Sequence, residues 1–290
     1  MFASNVSVFE NTQHQLAESP LWHPLLNTLF WVDINKKLLL SKAMQETCEV
    51  NIVAMEDTVS ALAWIDEYYL LLSTSTGLYK YHIESNSREL IINIEQDHLD
   101  RRSNDGRADP WGGFWLSTMN INANNGEGKI YRYYKQQLLE VITDLSIPNG
   151  LCFDKPRSRG YYCDSLTSCI YVISLNELTG EPCGEPRVFY QFANTDVDPD
   201  GCVLDKSGNL WLAVWNMGCV ICLSPNAHVV TTIKLPAIKP TCTAFGGKNA
   251  ETLFVTSAID DSEATKSNHQ GVIYQVSGVK NGLFEPQVIL

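Results

Sequence analysis

Short runs rich in Val, Ile, Leu, Tyr, Phe and Trp recur along the whole chain, separated by Asn, Asp, Gly and Ser, and amphipathic helical stretches are scarce. The pattern predicts an all-β protein. It also repeats itself: a small or polar residue, an apolar strand, a turn, a strand carrying Trp or Tyr, then a third short strand. Such units open at Ser19, Ser60, Asn104, Asn149, Asp200 and Thr241, with starts about 41 to 51 residues apart. A four-stranded propeller blade takes about 40 to 50 residues, so six units predict a six-bladed β-propeller with four-stranded blades over residues 15–278. The chain of 290 residues is then one propeller domain, its ring closed either by the C-terminal segment or by a strand from residues 5–10.

In a propeller the first strand of each blade lines the central channel, so the unit-opening residues gather at one mouth. Asn149 and Asp200 open their units in Pro-Asn-Gly and Pro-Asp-Gly segments, and Glu18 immediately precedes the first unit. Alone, each is an ordinary turn dipeptide. At the same place in successive repeats, two carboxylates and one amide carbonyl make an all-oxygen set suited to a hard cation: Ca²⁺ first, with Mg²⁺, Mn²⁺ or Zn²⁺ as alternatives. Three protein ligands leave positions for water and substrate, which is what metal-assisted hydrolysis requires.

Charge and composition narrow the partners. A formal net charge of -12 and the lack of any long apolar run argue against nucleic acid and membrane partners, since an acidic field repels phosphate. The first ten residues carry no basic segment followed by an apolar stretch, which predicts a cytoplasmic protein. The nine cysteines fall mostly in apolar strands and are expected to be reduced core thiols, Cys219 and Cys222 among them; the six histidines are expected mostly at the surface. No G-x-S-x-G motif or triad-like histidine supports a serine hydrolase.

Three segments carry a resemblance: Leu16-Ala17-Glu18-Ser19-Pro20-Leu21-Trp22, the stretch from Arg102 to Trp115 (R-S-N-D-G-R-A-D-P-W-G-G-F-W), and the Pro-Asn-Gly and Pro-Asp-Gly segments. With these the chain resembles the SMP-30/gluconolactonase/luciferin-regenerating-enzyme family, also called the regucalcin family, from about Gln15 to Gly278. The resemblance implies metal binding by Glu18, Asn149 and Asp200, the trio the repeats select, and substrate binding by Arg102 and Asn104, with Asp105 anchoring their turn. Animal members carry a glutamate that contacts sugar hydroxyls where this chain has Asn122, so Asn122 is the third expected substrate residue, with a changed hydroxyl preference. Residues 123–128 read as a flexible loop that could act as a lid.

The implied activity is metal-dependent opening of a sugar lactone, with Asp200 as both ligand and candidate general base. The alternatives are a phosphotriesterase-like metal hydrolase and a non-catalytic calcium-binding regulatory propeller. The expected oligomeric state is a monomer or a weak homo-oligomer.

Overall fold

The structure is a computed structural model and describes residues 5–45, 48–194, 196–260 and 268–290. The strands, in chain order, are β1 (Asn5–Glu10), β2 (Ala17–His23), β3 (Thr28–Asp33), β4 (Leu38–Ala43), β5 (Asn51–Ala54), β6 (Val59–Trp64), β7 (Tyr69–Thr74) and β8 (Gly77–His82). Then come β9 (Arg88–Asn93), β10 (Arg101–Ala108), β11 (Phe114–Asn120), β12 (Gly128–Tyr134), β13 (Gln137–Leu145), β14 (Pro148–Asp154), β15 (Arg159–Asp164) and β16 (Cys169–Ser174). The last third holds β17 (Arg187–Gln191), β18 (Pro199–Leu204), β19 (Leu210–Val214), β20 (Cys219–Leu223), β21 (Val229–Lys234), β22 (Lys239–Gly246), β23 (Thr252–Ala258) and β24 (Ile273–Ser277). They form six four-stranded antiparallel sheets, the six blades of a β-propeller fold, and the only helices among the described residues are two short 3-10 turns.

Two compact units divide the sheets. The first, Met1–Met55 with Asp200–Glu285, holds β2-β3-β4-β5, β18-β19-β20-β21 and the sheet in which β1 pairs with β24 beside β23 and β22. The fourth strand of that last sheet therefore comes from the N-terminus, Asn5 facing Ser277 and Val8 facing Tyr274. The second, Glu56–Pro199 with Pro286–Leu290, holds β6-β7-β8-β9, β10-β11-β12-β13 and β14-β15-β16-β17.

Each unit has its own core. In the first, Trp22, Trp31, Leu29 and Phe254 are buried together, with Trp22 and Phe254 stacked at 5.7 Å; burying each such side chain contributes about 1.5–3 kcal/mol. In the second, Phe114, Leu116, Tyr131 and Tyr133 pack with Ala61 and Leu71, and Trp111, Trp115, Leu151 and Tyr162 form a neighbouring cluster. Aspartates at strand ends fix the connections. Asp33 accepts the Gln15 and Leu16 N–H groups entering β2, and Asp164 does the same for Ser146 and Ile147 entering β14. Asp109 and Asp205 each close a hairpin turn and accept the indole N–H of a tryptophan six residues on, Trp115 and Trp211.

One sequence expectation needs correction: the Pro-Asn-Gly and Pro-Asp-Gly segments are not turns but the opening residues of β14 and β18. Four of the six histidines, His82, His98, His228 and His269, lie outside the buried class, as most were expected to, while His14 and His23 are buried, at 1% and 0% exposure; each of these two imidazoles accepts a hydrogen bond, from the Trp31 indole and the Leu26 N–H respectively. All nine cysteines are free thiols, and only Cys48 and Cys183 lie outside the buried class. Among the described residues no helix is long and apolar enough to cross a membrane.

Candidate functional site

The first strand of a sheet carries the candidate residues, and a recurring irregularity presents them. In β2, β10, β14 and β22 two residues oppose one on the second strand, between Glu18 and Leu21, Ser103 and Gly106, Asn149 and Cys152, and Pro240 and Thr243. Such a bulge turns a side chain away from the regular alternation and is common beside functional sites. Within β2 it is accompanied by a left-handed Ser19 (φ 48°), and within β14 by Gly150 (φ 66°). Glu18, Asn149 and Asp200 each occupy the second position of their strand, ahead of this feature in β2 and β14.

In the first unit, Glu18 Oε2 accepts the Ser19 N–H at 2.9 Å, and Asp200 is 7% exposed. Gly201, next to Asp200, is required by space: a Cβ there would stand 2.2 Å from Cys242 Sγ on β22.

In the second unit the expected residues are joined in one hydrogen-bonded chain. Arg102 Nη1 donates to Asn104 Oδ1 (2.9 Å) and to the Ser103 carbonyl (2.8 Å). Asn104 Nδ2 donates to Asn149 Oδ1 (2.6 Å) and to the Pro148 carbonyl (3.0 Å). Asn149 Nδ2 donates to Ser165 Oγ (3.0 Å), and Ser165 Oγ donates to the Pro199 carbonyl (2.7 Å). Asn104 and Asn149 are both 8% exposed, so their orientations are held by these partners.

Asp105 has the anchoring place expected of it. Its carboxylate accepts the N–H groups of Gly106 and Leu151, at 2.8 and 3.1 Å, and its own N–H donates to Ser117 Oγ. Burial pushes the Asp105 carboxyl above its ordinary range, against the pull of Arg107 and of the N–H donors from Leu151, Gly106 and Gly150. It thereby ties β10 to the strand that presents Asn149.

Asn122 lies in the exposed turn after β11, where its N–H donates to Asn120 Oδ1 at 2.8 Å. Because Arg101 faces Asn120 across the sheet, Asn122 stands at the strand end from which Arg102 projects, but it is not part of the chain from Arg102 to Asn149. In the loop read as a lid, Asn120 Nδ2 donates to Glu127 Oε2 (2.7 Å), Asn124 Nδ2 to Glu127 Oε1 (3.1 Å), and the Ala123 N–H to the Asn120 carbonyl (2.9 Å).

By donor type the expected residues suit a hard divalent cation. The Asn149 amide is fixed with its nitrogen spent on Ser165, leaving the carbonyl oxygen, which holds two lone pairs and uses one for Asn104. In the first unit Glu18 and Asp200 carry carboxylate oxygens, the donor type hard cations prefer. Among the described residues no group of three His, Cys, Asp or Glu side chains forms a metal cluster, and the expected set, with only two carboxylates, is of a different composition. Sequence reasoning missed Ser165. It is the first residue of the turn after β15, and its role shows only when that turn is seen folding back on Asn149.

The model of the SMP-30/gluconolactonase/LRE-like region matches residues 16–259. A solved structure of a calcium-binding protein, regucalcin, from Agrobacterium tumefaciens superposes with a TM-score of 0.93 at 31% identity, covering 98% of this chain and 97% of that one. A 6-deoxy-6-sulfogluconolactonase of Pseudomonas putida is 28% identical over 251 residues, 86% of this chain and 85% of its own. Regucalcin of Xenopus laevis is 28% identical over 276 residues, 92% of each.

Proposed function

This chain belongs to the SMP-30/gluconolactonase/LRE-like family, and from that premise we propose that it is a metal-dependent lactonase that opens a sugar lactone with water. The observation that carries the reading is the hydrogen-bonded chain Arg102–Asn104–Asn149, which couples a guanidinium suited to a hydroxylated ligand to an amide suited to a cation. A purely structural ion would need no arginine bonded into its surroundings. The relative that acts on a sulfogluconolactone supports the substrate class.

Glu18, Asn149 and Asp200 would hold the ion through oxygen, Ca²⁺ first and Zn²⁺, Mn²⁺ or Mg²⁺ as alternatives. When bound, the ion would polarise the ester carbonyl and lower the pKa of a nearby water. Arg102 supplies donors to the ring hydroxyls, and Asn104, locked by Arg102 and Pro148, aligns the ester. Asn122, an amide that both donates and accepts, meets a further hydroxyl from the exposed turn. Asp200 acts as general base, taking a proton from the water that adds to the ring carbonyl carbon. The ring C–O bond then breaks, the proton passes to the departing alkoxide, and the product is the open hydroxy acid.

The test is an aldonolactone screen with a pH indicator, using metal-stripped protein and each ion added back, with an organophosphate triester as the control for a phosphotriesterase. Acid release from lactones on ion addition supports the reading. Turnover of the triester alone, or of neither, contradicts it.

A further inference from the structure

The repeats themselves point to a substrate contact beyond the residues considered above. In three sheets the second and third strands are joined by a four-residue turn closing on a left-handed residue: Ile34 to Lys37 (φ 53°), Ser165 to Ser168 (φ 53°) and Trp215 to Gly218 (φ 57°). Their registers coincide, with Asp33 facing Leu38, Asp164 facing Cys169 and Val214 facing Cys219. Ser165 therefore corresponds to Trp215. Ser165 is the residue that touches Asn149, through the 3.0 Å hydrogen bond from its amide. Asp205 and Asn209 close the β18–β19 hairpin, so Trp215, just past the end of β19, occupies at β18, the strand that opens with Pro199 and Asp200, the register place that Ser165 occupies at β14.

Trp215 is unlike its two counterparts. Ile34 and Ser165 are buried, whereas the Trp215 side chain is partly exposed. It lies under a cation: Lys239 Nζ is 5.3 Å from the ring centroid, and Asp260 Oδ1 holds that ammonium at 3.1 Å. A partly exposed indole steadied by an ammonium–carboxylate pair is a pre-organised flat apolar surface. A ring with carbon-bound hydrogens on one face and hydroxyls at its rim matches that combination.

We propose that Trp215, steadied by Lys239 and Asp260, stacks on the ring of the sugar lactone and sets the affinity for it; the inference rests on the lactonase reading. The contact is made alike before and during ring opening, so it belongs to binding rather than to the chemical step.

The test pairs steady-state kinetics on a hexonolactone with fluorescence titration by the matching aldonate, using wild type, Trp215→Ala and Trp215→Phe. The expected result is a roughly tenfold higher KM in Trp215→Ala with kcat within about twofold, and recovery of most of the loss in Trp215→Phe. Bound metal and Tm should match the wild type, and the aldonate-induced fluorescence change should vanish in Trp215→Phe. An active wild type with an unchanged KM in Trp215→Ala, a loss confined to kcat, or a fluorescence change that persists overturns the inference alone. A KM rise that tracks a fall in Tm or in bound metal, without rescue by phenylalanine, also overturns it. A wild type that turns over no lactone overturns the function reading and the inference with it.

Discussion

At Gly201 a single hydrogen stands where any side chain would run into Cys242, and that contact explains the residue after Asp200 better than turn chemistry does. Its counterpart Gly150 answers a different demand, a positive φ within the bulge of β14. Gly201→Ala should therefore destabilise the fold by about 1–3 kcal/mol through overpacking of β18 against β22, read as a lower urea midpoint with an unchanged slope. Arg102 lies in β10 of the second unit. It is half-buried and donates to Asn104, so Arg102→Ala removes the orientation of Asn104 together with the ligand contact proposed for the guanidinium. Lactone kcat/KM should fall roughly 10²-fold while metal content stays at the wild-type level; loss of the metal as well would mean that Arg102 supports the cation instead. The dipeptides Asn-Gly and Asp-Gly marked both places in the sequence, but not the reasons for them, because space beside Cys242 and a bulge in β14 are properties of packed strands.

At the scale of elements, the strap that leads into β2 is governed by a buried histidine. His14 accepts the Trp31 indole N–H on Nε2 (3.1 Å), which leaves the proton on Nδ1, 3.8 Å from Asp33. Its backbone N–H donates to Gly271, so the strap also reaches the end segment before β24. Burial lowers the His14 pKa from 6.5 to about 4, although the Asp33 charge pulls the other way. A second proton would have to point at the indole N–H. The folded state thus binds the neutral form, and the stability this provides is full above the unfolded value of 6.5 and lost as pH falls toward 4. The expected loss is about 3 kcal/mol across that window, and His14→Gln should flatten the pH dependence of the denaturation midpoint there. A lone histidine in the sequence gave no sign of this, since its partners Trp31, Asp33 and Gly271 come together only in the sheets. The pairing of β1 with β24 was legible only as one of two ways to complete the last blade; strand character at both chain ends left the choice open until the Asn5–Ser277 register settled it.

For the whole molecule, the repeat length and strand pattern were enough to predict six four-stranded blades, because every blade solves the same packing problem with the same punctuation. Of the candidate residues, Glu18, Asn149 and Asp200 were picked out by residue type and place in the repeats and Arg102 by resemblance, and the structure bonds Arg102, Asn104 and Asn149 into one chain. Ser165 and Trp215 were not legible, as their turns carry no shared residue type and are related only by register. The central claim is that the oxygen set Glu18, Asn149 and Asp200 holds one divalent cation needed for lactone opening. It is tested most directly by measuring bound metal and aldonolactone hydrolysis on the same preparations of wild type and Asp200→Ala, before chelation, after chelation and after adding the ion back. The account predicts about one ion per chain in the wild type, hydrolysis that disappears with the ion and returns with it, and an Asp200→Ala variant that keeps neither. Undiminished hydrolysis by metal-stripped wild type, or an Asp200→Ala variant with full metal and full activity, would contradict it.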